Sequence, residues 1–290
     1  MKQNRPRIGD FLSLLMTYLA RLSKPNLSAS NYDAFYEAFF ARKDLEAASQ
    51  DHRRLTRRSE IRRYFSESIC TDSRILDVGC GVGEVLAELE DYPFRFGMEY
   101  SPVTQKMACE FLGNSVKIMQ GSLYQLPFES DSMDVCICLE VIEHLEEENT
   151  ALSELNRVIR PSGRLMISVP YTYYWSAYKG LIGHYRHYSR ESLVSLLRSS
   201  GFEPESYLRN YPQWHRKYAN GYFLIALLAK LIGRFCGRPS PYTLRWPWSK
   251  MTLISHLNMH LGSLFEREAH LDYSTLQTST FVVAKKVLRT

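Results

Sequence analysis

No stretch of this 290-residue chain strings together the roughly 18 apolar residues that a bilayer-crossing helix needs. None of its six cysteines stands in a CxxC pair, the spacing of many zinc and redox sites. Cys136 and Cys138 lie inside an apolar run and read as buried thiols, so a reduced intracellular protein is the expectation. There is no internal repeat and no low-complexity tract. The N-terminus carries basic residues and then "FLSLLMTYLA", but no small-residue cleavage site follows cleanly, so a secretory leader is not the expected reading. One sign of charge is missing locally: from residue 206 to residue 265 there is no aspartate or glutamate. What is present is ample apolar content, 45% of residues, enough for a full core. The net charge of +5 is modest, so its distribution matters more than its sum.

From Arg74 onward the pattern alternates. "RILDV", "FRFGME", "VKIMQG", "MDVCICL" and "GRLMISVP" read as buried strands. Between them "GEVLAELE", "VTQKMACEFL" and "NTALSELNRVI" read as helices, and "SRESLVSLLRSSG" follows with a serine start and a glycine stop. Such alternation implies βαβ units and a parallel sheet covered on both faces, an α/β fold. Two regions fall outside it. Residues 1–65 read as a helical N-terminal extension, and residues 210–272 as a helical insertion. The core then spans residues 66–209, and "STFVVAKKV" within 273–290 reads as a last strand rejoining the sheet.

The first strand runs into "DVGCGVG", with glycines at 79, 81 and 83. Glycine weakens a regular element by about 0.5–1 kcal/mol, so three together mark a backbone that turns tightly and admits a close approach. Dinucleotide loops use GxGxxG to meet a pyrophosphate. Here the spacing is GxGxG, and Asp77 ahead of it would repel a pyrophosphate but suits an ammonium group. Glu99 ends the second strand 22 residues beyond Asp77, where a carboxylate can accept both hydroxyls of a ribose.

With "GMEYSP" and "GSLYQLPFESDSMDVCICLEVIEHL", this loop resembles the class I S-adenosylmethionine-dependent methyltransferases. The nearest group is the type 11 family, which includes quinone-biosynthesis enzymes. The resemblance covers roughly residues 60–209 and the last strand. It implies a Rossmann-like, seven-stranded, mostly parallel sheet with its last strand antiparallel. It also implies a cofactor-facing set: Asp77, Gly79, Cys80, Gly81, Gly83, Glu99, Tyr100, Ser122, Leu123 and Glu140. Ser122 stands where the family often has an acid for the adenine amino group, which leaves that contact to its hydroxyl or to the Leu123 N–H.

"LEVIEHLEEE" reads as the start of a helix, with Glu140, Glu143 and His144 spaced to share one face. Two carboxylates and an imidazole can bind a divalent cation such as Mg²⁺. The pattern resembles that of two metal-using branches of the superfamily, one acting on catechols and one on RNA 3′ ends, in which a further histidine follows the fifth strand. "GHYRHYSRE" supplies His184 and His187 there, with His184 the better match, so Glu140, Glu143, His144 and His184 form the candidate metal set. Two other readings stand beside it. Acids at a helix start gain from the macrodipole without any metal, and His144, His184 or His187 can serve as a general base. "SVPYTYYW" places Tyr171, Tyr173, Tyr174 and Trp175 to line an acceptor pocket or to pack as a lid.

The acid-free stretch holds Arg209, Arg216, Lys217, Lys230, Arg234, Arg238, Arg245 and Lys250, with Trp214, Trp246 and Trp248. Its centre, "GYFLIALLAKLIGRFCG", is an apolar helix in pattern. Cationic flanks and tryptophans suit a helix lying in a membrane surface through residues 211–250; a buried lid or a dimer contact is the competing reading. Its long aliphatic run does not suit a nucleic-acid groove. The arginine stripe 53, 54, 57, 58, 62, 63 reads as a solvated helix face.

The expectation is therefore a cytoplasmic methyltransferase, peripheral on the inner face of a membrane. Its acceptor would be small or lipophilic: a lipid, a quinone precursor or a lipid-linked sugar, with O-methylation favoured. An RNA 3′-end methyltransferase and a non-catalytic membrane-binding module of the same fold are the alternatives.

Overall fold

The computed structural model describes residues 52–170, 184–208 and 279–287. Seven strands form one sheet. β1 is Ile75–Val78, β2 Arg95–Glu99, β3 Lys117–Gln120, β4 Met133–Leu139, β5 Ile159–Pro170, β6 Phe202–Tyr207 and β7 Ser279–Lys286. Their order is β3-β2-β1-β4-β5-β7-β6. β1, β2, β3, β4 and β5 pair in parallel, and β7 runs antiparallel between β5 and β6. The helices are α1 (His52–Ser68), α2 (Glu84–Glu88), α3 (Pro102–Leu112), α4 (Glu148–Val158) and α5 (Arg190–Ser199).

All four residues of β1 are buried, because helices cover both faces of the sheet. The strand period of two divides the core cleanly. Leu76, Cys136, Cys138, Leu165 and Ile167 pack against Leu152 and Leu155 of α4 and Leu193 and Leu197 of α5. Ile75, Val135, Ile137, Met166 and Phe281 turn the other way, onto Ile61, Tyr64 and Phe65 of α1. Helix starts follow the capping chemistry of the sequence. Ser101 accepts a hydrogen bond from the Thr104 N–H ahead of Pro102, and Ser189 accepts one from the Ser192 N–H.

Four features differ from the sequence reading. The helix expected from "GEVLAELE" spans only Glu84–Glu88. β5 begins at Ile159, before Pro161, and Ser162 takes a left-handed φ of 64° within it. β6 carries Pro204 at the sheet edge, and beyond the buried Phe202 its residues alternate between exposed and half-buried, a weak strand pattern. α1 runs unbroken through position 65, where the sequence pattern ends the N-terminal extension, and its Phe65 lies in the core.

The arginine stripe is also not uniformly solvated. Arg57 is 13% exposed and faces Glu140, and the Arg58 Nε–H donates to Glu88 at 2.8 Å. Arg62 and Arg63 do face solvent. Among the described residues, no helix is long and apolar enough to cross a membrane. The insertion at 211–250 and the aromatics at 171–175 lie outside the described residues.

Candidate active site

The parallel strands change direction of progression between β1 and β4. One series of crossovers leads from β1 to β2 and β3, the other from β4 to β5. A crevice opens at such a switch point, outside the carboxyl ends of the strands. Val78 pairs with Cys138 at that end, so Gly79 and Glu140 leave the sheet almost together.

The glycine loop is built as its spacing requires. Gly79, Gly81 and Gly83 all have φ between 58° and 86°, a region costly for a residue with a Cβ. Gly79 and Gly83 also answer to packing. A Cβ on Gly79 would come within 2.5 Å of Val141, and one on Gly83 within 2.4 Å of Leu112. Gly81 differs: a Cβ there meets nothing within 4 Å. It is the point where the loop faces open space, and its N–H donates to Glu99 Oε2 at 2.9 Å.

Glu99 is buried, and its other oxygen accepts from the Ser101 N–H at 3.1 Å. Burial raises its proton affinity, against the N–H groups of Ser101, Gly81 and Tyr100, which hold the charge. Each oxygen therefore keeps acceptor capacity, since a carboxylate offers about four lone-pair sites. Asp77 is 2% exposed, and burial followed by the nearby Glu99 charge pushes its carboxyl well above the usual range. Two buried acids side by side favour a cationic ligand. Cys80 is buried beside them with its thiol pushed up by burial, so it is not a reactive thiolate. Tyr100 is exposed at the rim. The Ser122 hydroxyl accepts the Tyr124 N–H at 3.3 Å within a tight turn, and the Leu123 side chain is buried in the core.

The segment after β4 is not the helix expected there. Glu140 takes a left-handed φ of 57° and donates its N–H to the Ser168 carbonyl at 2.9 Å. A short 3₁₀ turn, Ile142–His144, follows, and α4 starts only at Glu148. Glu140 and Glu143 therefore do not share a helix face. Glu140 Oε1 accepts the Ser168 hydroxyl at 2.8 Å and lies 3.4 Å from Arg57 Nη2.

Glu143 is fully buried, and neither carboxylate oxygen has a hydrogen-bond partner. Burial, then the Glu140 charge, drives its proton affinity well up, opposed by its own backbone N–H and by Arg57. His184 Nε2 stands 4.0 Å from Glu143 Oε1, and the His144 and His184 rings meet edge-on at 4.5 Å. His184 Nδ1 lies 2.8 Å from His187 Nε2. Of the four residues expected to hold a metal, Glu143, His144 and His184 bring donor atoms within 4.8 Å of one another; Glu140 is not among them. One carboxylate and two imidazoles do not fit Mg²⁺, which takes oxygen ligands in near-ideal octahedral geometry.

Comparison with known proteins agrees with this geometry. Residues 76–167 match the family model described as "Methyltransferase domain". That segment is similar to a class I S-adenosylmethionine-dependent methyltransferase domain. A Mycolicibacterium smegmatis protein named "Probable S-adenosylmethionine-dependent methyltransferase" is 32% identical over 143 residues, covering 48% of this chain and 55% of that protein. A Mycobacterium tuberculosis protein of the same name is 30% identical over 139 residues, covering 46% and 50%. The chain thus spans about half the length of these curated relatives. The solved structure of the cyclase SpnF superposes with a TM-score of 0.55 at 19% identity, over 80% of this chain and 82% of that one. It shares the fold, and a shared fold does not transfer a reaction.

The loop, Asp77, Glu99 and the turn after β4 gather at one crevice mouth. Two residues there carry no motif signal, Arg57 and Ser168. A signal for Arg57 did exist. It shares a helical face with Ile61 and Phe65, which are both fully buried.

Proposed function

We propose that this chain is a methyltransferase that moves the methyl group of S-adenosylmethionine to a small or lipophilic acceptor, with O-methylation favoured. The observation that carries the reading is the pair of buried acids, Asp77 and Glu99, beside a glycine loop whose Gly81 faces open space. A sulfonium and an ammonium answer those acids, and a ribose answers Glu99.

When bound, S-adenosylmethionine supplies an already activated methyl group. The protein's task is mainly placement, which brings the acceptor atom into line with that group. An acceptor hydroxyl must also lose a proton. His144, His184 and His187 are the groups proposed to take it, because they cluster beside the turn that follows β4. The acid-free stretch 211–250 supports an acceptor met at an anionic membrane surface, through its apolar run, cations and tryptophans. The test is mass spectrometry of cell extract incubated with S-adenosylmethionine, with and without the protein. A product heavier by one CH₂ is expected, extracted with the lipids. Absence of any methylated product across aqueous and lipid fractions would overturn the reading.

A further inference from the structure

The histidines proposed to take the acceptor's proton include two on one irregular strap, residues 184–188. The strap is tied at both sides. The Tyr185 N–H donates to the Glu143 carbonyl at 2.8 Å, and the Tyr188 N–H donates to the Pro170 carbonyl, at the end of β5, at 3.0 Å. The two rings are almost fully enclosed, His184 at 10% exposure and His187 at 8%. Enclosed rings take their angle from their surroundings, and the 2.8 Å bond from His184 Nδ1 to His187 Nε2 depends on that angle.

The residues on either side of His187 meet at a single oxygen. Arg186 Nη1 stands 3.2 Å from Glu148 Oε2, and the Tyr188 hydroxyl donates to that same oxygen. Arg186 Nη2 also donates to the Glu146 carbonyl at 2.6 Å. Burial, then the bond to Glu148, raises the proton affinity of the Tyr188 hydroxyl, so it stays the donor. Glu148 opens α4, where the helix dipole favours a carboxylate. Tyr188 is buried in the same core cluster as Leu152 and Leu155 of α4. The acid that gathers the strap is therefore carried on a packed helix, and a loop gains its precision from such rigid support.

Resting on the proposal that the histidines take the acceptor's proton, we infer that Glu148 is a positioning residue for His187. By holding Arg186 and Tyr188 at one oxygen, it fixes the backbone on both sides of His187, and with it the bond to His184. Its part is geometric, and the proton goes to the histidine pair.

The test reads methyl transfer from radiolabelled S-adenosylmethionine to a dialysed cell extract, using the full chain. Glu148→Ala should lower the maximal rate about 10-fold to 10²-fold, the cost of misplacing a reacting group by about 1 Å. Its KM for S-adenosylmethionine should stay within about twofold of wild type, since cofactor binding is untouched. Tyr188→Phe keeps the packing of the ring and removes only the hydroxyl, and should lose rate in the same direction but less. In a His187→Asn background, Glu148→Ala should cost no more than about twofold further, because nothing remains to be positioned. In ¹⁵N NMR of the histidine rings, the signals that His187→Asn removes should shift in Glu148→Ala. Undiminished rates in both Glu148→Ala and Tyr188→Phe overturn the inference. So does a Glu148→Ala loss that persists in full in the His187→Asn background, which would make Glu148 a support of the fold alone. An undiminished rate in His187→Asn itself would overturn the histidine reading beneath, and the inference with it.

Discussion

His184 Nδ1 and His187 Nε2 stand 2.8 Å apart, a hydrogen bond between two imidazoles. One ring must donate and the other accept, so the pair holds one shared proton, and protonating both nitrogens breaks the bond. If the pair takes the acceptor's proton, His184→Asn and His187→Asn should each lower kcat by about 10²–10⁴-fold, the usual worth of a general base. The double variant should be little worse than the worse single one, because the two act as a unit. Affinity for S-adenosylhomocysteine should not change. Steady-state kinetics with calorimetry checks this, and an undiminished kcat in both single variants would remove the histidines from the reaction.

The three glycines of the loop should separate by phenotype. Gly81 faces open space but holds a φ of 58°, so Gly81→Val should lower Tm through backbone strain alone, without a side-chain clash, and should in addition bind S-adenosylhomocysteine poorly. Gly79→Ala and Gly83→Ala drive a methyl group into Val141 and Leu112, and should lower Tm. Glu99→Ala should weaken the ligand by about tenfold or more, since a hydrogen bond to a charged group is worth about 1.5–3 kcal/mol. Thermal scans paired with calorimetry distinguish the two classes. Gly81→Val and Glu99→Ala with unaltered affinity would refute the cofactor assignment.

Those glycines are legible in sequence because backbone demands of this kind leave few alternatives. So are β1 and β4, short, mostly apolar runs rich in strand formers, each broken by a single aspartate, which read as buried strands. β6 is not, since an edge strand with Pro204 and exposed alternate residues looks like a loop. The turn after β4 reads as helix because Glu140, Glu143 and His144 do have helical spacing. The left-handed φ of Glu140 that breaks the pattern is held by contacts to Ser168, 28 residues away. Arg57 is half legible: its spacing to Ile61 and Phe65 marks the buried side of α1, but its partner, Glu140, is set only by the fold.

Added magnesium should not be needed for turnover. The cluster brings together one carboxylate and two imidazoles, and Glu140, the second acid, is engaged with Ser168 and Arg57, so Mg²⁺ would find too few oxygen ligands there. Methyl transfer from radiolabelled S-adenosylmethionine to a dialysed extract should therefore proceed at the same rate with and without added Mg²⁺. A rate that rises with added Mg²⁺ would contradict this.

The stretch 211–250 should carry the protein to anionic vesicles. Binding that is partly Coulombic weakens with salt, as the Debye length shortens from about 10 Å at 0.1 M to 3 Å at 1 M. Binding that is partly hydrophobic survives it. Replacing Leu227 and Leu228 with Asp should release the protein and leave S-adenosylhomocysteine affinity intact. Liposome flotation with anionic and neutral vesicles measures this, and wild-type protein remaining in the soluble fraction with both would sink the idea.

Glu143 predicts a pH-dependent gain in stability on substitution. Its carboxyl is fully buried, and burial together with the Glu140 charge raises its proton affinity in the folded state well above that of a free glutamate. In the unfolded chain it titrates near 4.3. Below that pH the group is neutral in both states and costs nothing. Above it the unfolded chain sheds the proton that the folded chain retains, so stability falls as pH rises toward the folded value. The substitution Glu143→Gln keeps the shape of the side chain and removes its ionisation. The variant should therefore match wild type near pH 4 and exceed it increasingly toward pH 8. Each tenfold change in proton affinity is worth about 1.4 kcal/mol, or about 2–4 °C in Tm per kcal/mol for a domain of 150–250 residues. Thermal denaturation at a series of pH values gives the answer. A difference in Tm that stays constant with pH, or that favours wild type at pH 8, would show that Glu143 is ionised in the folded protein.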